Sequence, residues 1–204
     1  MIIIEFEGLD KSGKKTQSEM LYKALYERGF SVEKSEFHRY DTETGKLIRK
    51  FLDGEYQANQ LAIECLMAAD KYAQLDWIKG LNNKVDVLIF DRYLSSQLVY
   101  SQSNNVEVDF ILNLLKNMPA PDFHFYLDIN EEESMKRKGK WGENDKYESN
   151  AELLKKARGN YIRLMSKLSE SDKAMILDGC SPVSVLHEQI LEKTLNLLDK
   201  EKVS

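Results

Sequence analysis

The chain has 204 residues, 42% hydrophobic and 31% charged, with a net charge of −5. That length supports one substantial core rather than two. No apolar run reaches the roughly 20 residues of a membrane helix, and the acidic balance argues against a dedicated nucleic-acid binder. The run Ile2-Ile3-Ile4-Glu5-Phe6 is too short for a signal peptide and reads as a first core strand, Ile2–Glu7. A helical pattern follows over Lys14–Arg28 and stops at Gly29, then a strand over Ser31–Phe37 and a helix over Thr44–Leu52. A long helix is predicted over Gln60–Leu81, a strand over Val85–Phe90 and a helix over Val108–Asn117. The strand Phe123–Ile129 precedes helices over Glu131–Arg137 and Asn150–Leu168. The strand Ala174–Leu177 comes last, before a helix over Pro182–Leu198 with Pro182 near its first position and Ser181 as cap. Continuously apolar strands alternating with helices predict an α/β fold: a five-stranded parallel sheet with helices on both faces, in one domain spanning 1–204. Cys65 and Cys180 lie far apart without metal-ligand spacing, as expected of reduced thiols in a cytoplasmic protein.

Between the first strand and the first helix lies Gly8-Leu9-Asp10-Lys11-Ser12-Gly13-Lys14-Lys15-Thr16. Strand, glycine-rich turn and helix in this order make a phosphate-binding P-loop. Gly8 and Gly13 let backbone N–H groups turn inward, with Lys11, Ser12, Lys14, Lys15 and Thr16 around the same phosphates. The helix start adds the positive end of its dipole. Lys14 supplies a mobile charge for the β- and γ-phosphates. The pattern asks for Ser or Thr after this lysine, to meet Mg²⁺; here Lys15 stands there and Thr16 comes one residue late. The plain alternative is a glycine turn capping an ordinary helix.

Two further segments bear on chemistry. Residues 136–148 are polar and mixed in charge, including Arg137, Lys138, Lys140 and Lys146. Alone they read as a surface loop; beside a P-loop they read as a short lid that excludes water from phosphoryl transfer. The strand ending at Phe90 runs into Asp91-Arg92-Tyr93. That places a candidate Mg²⁺-shell carboxylate and an arginine in the crevice at the strand ends. Asn83-Lys84-Val85-Asp86 fits a guanine-reading pattern but precedes its strand, at the wrong end of the sheet, so GTPase function is rejected.

Taken in order, these segments resemble the thymidylate kinase family of P-loop nucleoside monophosphate kinases. Glu7-Gly8-Leu9-Asp10 through Thr16-Gln17 resembles E-G-x-D-x-x-G-K-x-T-Q. Phe37 to Gly45-Lys46 resembles the segment beginning F-P-x-R, and Ala69-Asp70-Lys71-Tyr72 resembles A-[ND]-R-[WY]. Asp91-Arg92-Tyr93 with Ser96, Gln97 and Tyr100 is similar to the D-R-Y segment. Pro119-Ala120-Pro121-Asp122 matches P-x-P-D, and Asp145-Lys146-Tyr147-Glu148 resembles the lid's [DE]-R-Y-E.

The resemblance implies ATP-dependent phosphorylation of dTMP to dTDP by direct in-line transfer, in a homodimer. It places Asp10 on the deoxyribose 3′-OH, Arg92 on the acceptor phosphate, Lys71 near the acceptor and Gln97 on the pyrimidine edge. Phe37, Arg39, Met67, Ser96 and Tyr100 complete the acceptor site. Lys14, Lys11 and Arg137 balance charge on the transferred group, and Asp91 and Glu148 serve Mg²⁺ through water. Three departures fall in the acceptor site: Phe37-His38-Arg39-Tyr40 lacks the proline and carries its arginine one residue early, Met67 stands for a stacking aromatic, and Lys71 replaces a bidentate arginine. The alternatives are a kinase for dUMP, a 5-substituted dUMP or a deoxynucleoside, with Glu7 as general base in the last case, and a catalytically silent nucleotide-binding protein.

Overall fold

The computed structural model describes residues 1–137 and 145–203. Five strands form one parallel sheet: β1 Ile2–Glu7, β2 Val32–Glu36, β3 Val87–Asp91, β4 Phe123–Asp128 and β5 Ala174–Asp178. Their order is β2-β3-β1-β4-β5. The centre is β1, buried at all six residues, with Phe6 opposite Asp91 of β3 and Phe125 of β4. The chain crosses from β3 to the other side of β1 to reach β4, so β1 ends at a topological switch point, where open α/β sheets bind ligands.

Nine helices are described: α1 Lys14–Tyr26, α2 Glu43–Leu52, α3 Gln60–Tyr72, α4 Leu75–Gly80, α5 Leu94–Ser103, α6 Val108–Leu115, α7 Glu131–Lys136, α8 Ala151–Ser169 and α9 Val183–Val203. Strand alternation divides the core between two faces. Ile2, Ile4 and Phe6 pack with Val87, Ile89, Phe123, Phe125 and Leu127 under Leu21 and Leu25 of α1 and Leu186 and Ile190 of α9. On the other face, Ile3, Leu88 and Phe90 meet Ala68 of α3, Ile78 of α4 and Ile111 of α6. Tyr126 of β4 packs there with Leu154, Ala157 and Tyr161 of α8. The same alternation sends Glu5 and Glu7 into that second face, where both are fully buried.

Three expectations are corrected. Gln60–Leu81 is two helices, with a turn at Ala73 and Gln74 that neither glycine nor proline marks. The unforeseen α5 buries Ser95, Gln97, Ser101 and Ser103, so its inner face is polar and its sequence shows no apolar stripe. Pro182 stands before the first residue of α9 and accepts from the Leu186 N–H at 3.1 Å through its carbonyl. The rejected Asn83–Asp86 segment sits at the start of β3, where Asp86 Oδ2 accepts from the Ser31 N–H and hydroxyl.

Candidate active site

The turn after β1 is shaped by positive φ angles at Gly8 (150°), Lys11 (63°) and Gly13 (104°). A side chain at Gly8 would meet the Leu127 carbonyl oxygen and Ser12 Oγ at 2.6 Å, so only glycine passes there. Lys14 begins α1 and lies inside the turn, donating to the carbonyls of Leu9 at 2.7 Å and Gly8 at 3.2 Å. Burial, and then the Arg92 charge, push its ammonium down to about 8. α7 braces the turn from outside: Ser134 Oγ donates to the Asp10 carbonyl at 2.8 Å, and Arg137 donates to the Lys11 carbonyl at 3.1 Å. Arg137 also reaches the Gly179 carbonyl and pairs with Glu133. The guanidinium expected on the transferred phosphoryl group lies against the P-loop backbone.

A cavity of about 90 Å³ opens beside this turn at the strand ends. Of the residues expected around the acceptor, Asp10, Phe37, Met67, Lys71, Arg92, Ser96, Gln97 and Tyr100 all line it. Arg92 follows β3 at φ 64°, a left-handed conformation that costs a non-glycine residue roughly 1 kcal/mol or more and aims it off the strand. Its Nη2 donates to Asp10 Oδ1 at 2.6 Å, and its Nη1 meets Ser96 Oγ at 3.3 Å and Tyr161 Oη at 3.4 Å. Burial works against the Asp10 charge, but Arg92 and Lys14 outweigh it and hold the carboxyl below its usual range.

Behind Arg92 stands Glu7. Its Oε2 accepts from Ser96 Oγ and, at 2.6 Å, from Tyr161 Oη; its Oε1 accepts from the Tyr93 and Ser96 N–H groups at 3.1 Å. Burial, and then the neighbouring Glu5, push Glu7 up to about 8. It is enclosed by donors, beneath the cavity wall. Sequence reasoning missed Tyr161, which comes from α8 and carries no local motif.

The far end of the cavity is organised on α3 and α5. Lys71 Nζ donates to Gln97 Oε1 at 3.0 Å, and Gln97 Nε2 donates to the Glu64 carbonyl at 2.9 Å and carboxylate at 3.1 Å. Lys71 is buried and lies 5.4 Å from the Phe37 ring centroid. Burial pushes its ammonium down to about 8, against the attraction of Asp70 and Glu64. Lys71 is therefore tied to Gln97 on the cavity wall. Arg39 is absent from the wall: its guanidinium pairs with Asp41 at 3.0 Å and reaches Gln74 at 3.4 Å. The shifted arginine thus points elsewhere, and His38 lines the cavity instead. The Phe37–His38 peptide is cis.

Most of the expected lid, residues 138–144 with Lys138 and Lys140, lies outside the described residues. The described end, from Asp145, returns to the cavity: Tyr147 stacks on Tyr100 with centroids 5.8 Å apart, and Lys11 approaches Glu148 at 3.7 Å. Among the described residues no three His, Cys, Asp or Glu side chains gather as metal ligands. Asp91 ends β3 opposite Phe6, with its carboxyl raised by burial although Lys14 and Arg92 favour its charge.

A P-loop and an arginine-bearing cavity at one switch point match a known family across the chain. The family model described as Thymidylate kinase matches residues 6–190. The chain belongs to the thymidylate kinase family. A probable thymidylate kinase of Methanosphaera stadtmanae is 34% identical over 200 residues, covering 96% of this chain and 98% of that protein. The thymidylate kinase of Schizosaccharomyces pombe is 29% identical over 196 residues, covering 96% and 92%. The solved thymidylate kinase of Candida albicans superposes with a TM-score of 0.81 at 25% identity, covering 98% of this chain and 92% of that one. The five-stranded parallel sheet is thus that of a P-loop nucleoside monophosphate kinase. Among the described residues, no helix is long and apolar enough to cross a membrane.

Proposed function

We propose that this thymidylate kinase family member transfers the γ-phosphoryl group of ATP to dTMP, giving dTDP and ADP, as one kinase domain spanning 1–204. The observation that carries the acceptor reading is Arg92, whose guanidinium enters the cavity next to the P-loop with Asp10, Ser96 and Tyr161 fixing both sides of its fork. A planar fork so held suits a phosphate. The P-loop N–H groups and Lys14 hold the ATP phosphates, with Lys11, Ser12, Gly13, Lys15 and Thr16 around them. Asp10 fixes Arg92, and its second oxygen, 3.4 Å from Tyr100 Oη, meets the sugar 3′-OH. Lys71 and Gln97 take the base edge and Met67 covers its face.

An oxygen of the acceptor phosphate forms the new P–O bond as the bond from the γ-phosphorus to the bridging oxygen breaks, and that oxygen leaves on ADP with the electron pair. The acceptor is already anionic, so no residue has to remove its proton; positioning and charge stabilisation dominate. Glu7, enclosed by four donors, is poorly placed as a base for a sugar hydroxyl, which speaks against a deoxynucleoside kinase. Mg²⁺, when bound, neutralises phosphate charge. Asp91 at the end of β3 and Glu148 beside Lys11 are hard oxygen donors suited to holding it through water.

A homodimer and a cytoplasmic setting belong to the same proposal. α3 spends Ile63, Met67 and Ala68 on its own core, leaving Leu61 and, on α6, Leu112 exposed for a second copy. Both cysteines are free, as in a reducing compartment. Sedimentation of the purified protein tests the dimer. A coupled ADP-release assay with ATP, Mg²⁺ and dTMP, dUMP, dCMP or thymidine tests the reaction, with dTMP expected to lead.

A further inference from the structure

The residue that takes the place of the expected proline, His38, is held in one defined state. Fully buried Asp70 accepts four hydrogen bonds: from Thr44 Oγ1 at 2.7 Å and Thr42 Oγ1 at 3.0 Å on one oxygen, and from the Arg39 N–H and His38 Nδ1, each at 3.1 Å, on the other. Burial opposes the Asp70 charge, but these donors outweigh it and bring the carboxyl to about 2. An ionised carboxylate only accepts, so Nδ1 carries the proton. Burial, and then the Lys71 charge, push His38 down to about 4, so the ring is neutral. Its Nε2 is then a lone-pair acceptor. It has no protein partner among the described residues, and His38 lines the cavity.

The groups that share the wall with His38 say what this nitrogen can meet. Lys71 Nζ lies 3.0 Å from the Gln97 carbonyl oxygen and 5.4 Å from the Phe37 ring centroid, and its charge also acts on His38. His38 follows Phe37. A uracil-type base presents N3–H, then O4, then its C5 substituent. A base with N3–H on the second lone pair of Gln97 Oε1 and O4 on Lys71 turns the next ring position, C5, toward the other wall neighbours of Lys71, Phe37 and His38. A methyl group offers the imidazole nothing, whereas a hydroxymethyl group offers it an O–H donor. Met67, unbranched and adaptable, lines the same cavity and can repack around a larger base.

We propose that His38 is a specificity-determining residue that admits deoxyuridylates bearing a hydrogen-bond donor on the C5 substituent, 5-hydroxymethyl-dUMP being the simplest, in addition to dTMP. This deepens the acceptor reading and rests on it. The transfer is the same: the acceptor phosphate oxygen bonds the γ-phosphorus and ADP leaves with the electron pair.

The test compares kcat/KM for 5-hydroxymethyl-dUMP and dTMP, with ATP and Mg²⁺, in wild type, His38→Phe and His38→Gln. The wild type phosphorylates both. His38→Phe lowers the hydroxymethyl-to-dTMP ratio about tenfold, the effect of stranding one neutral donor. His38→Gln recovers most of it, because its amide oxygen accepts. The ¹⁵N spectrum of the wild-type imidazole gives a second readout without any variant: the Nε2 resonance moves upfield with the hydroxymethyl nucleotide and stays put with dTMP. A wild type that phosphorylates dTMP but not the hydroxymethyl nucleotide overturns the proposal, as does an unchanged ratio in His38→Phe or an unmoved resonance. If dTMP itself is not phosphorylated, the acceptor reading falls and the proposal with it.

Discussion

Arg92→Lys isolates the guanidinium fork from the charge. Lysine bears the same backbone cost at φ 64°, so the turn after β3 is unaffected. The ammonium can keep the ion pair with Asp10, formed at 2.6 Å in the native protein, but cannot also span to Ser96 and Tyr161. On the acceptor phosphate, one of two charge-assisted hydrogen bonds is lost, worth about 1.5–3 kcal/mol. That predicts a fall of about 10- to 150-fold in kcat/KM for dTMP. Thymidine has no phosphate, so its already poor kcat/KM falls much less and the preference for dTMP narrows. The assay is steady-state ADP release with both acceptors, on protein whose thermal unfolding is cooperative. A folded Arg92→Lys protein within twofold of wild type on dTMP, or one that loses both acceptors equally, refutes the assignment of Arg92 to the acceptor phosphate.

Lys14→Ala lowers kcat by about 10²–10³ with the fold intact, as for removal of one preorganised stabilising donor; in the wild type, kcat/KM for ATP falls as pH rises through about 8, where Lys14 loses its proton, and saturating ATP moves that fall to higher pH in the kcat profile. Glu7→Gln changes the pH dependence of stability. Native Glu7, raised from 4.5 to about 8, keeps a proton that the unfolded chain releases, so its contribution to wild-type stability declines from pH 4.5 to about 8. Glutamine removes that decline, by at most about 1.4 kcal/mol per pH unit, and a Tm difference between the two proteins that does not grow in favour of Gln across this window contradicts the burial argument. Gly45→Ala places a methyl 1.8 Å from the Arg39 carbonyl oxygen, so the turn carrying Phe37 and His38 must shift. It costs about 1–3 kcal/mol and raises the KM for dTMP more than it lowers kcat.

The sheet and P-loop were legible because buried parallel strands write themselves as apolar runs, and because a phosphate nest needs glycines at fixed spacing. Asp91, Arg92, Ser96 and Gln97 were legible as one segment at a strand end. What stayed hidden follows from contacts made at long range. α5 buries serines and Gln97 against Glu5, Glu7 and Lys71, so it carries no apolar period. Tyr161 reaches Glu7 from 154 residues away in the chain. The arginine standing one residue early marked Arg39 as able to face elsewhere, but its spacing did not show that it turns to Asp41 or that Asp70 fixes His38 on the wall. Lys71 could be placed near the acceptor from its motif, but only packing against Phe37 and Gln97 shows which end it serves.

The most direct measurement is turnover by the purified wild-type protein with ATP and Mg²⁺, following product identity by anion-exchange separation. The structure predicts stoichiometric dTDP and ADP from dTMP, with kcat/KM for dTMP well above that for thymidine and dCMP. Thymidine phosphorylated in preference to dTMP, or ATP hydrolysed without a nucleoside diphosphate formed from dTMP, would contradict it.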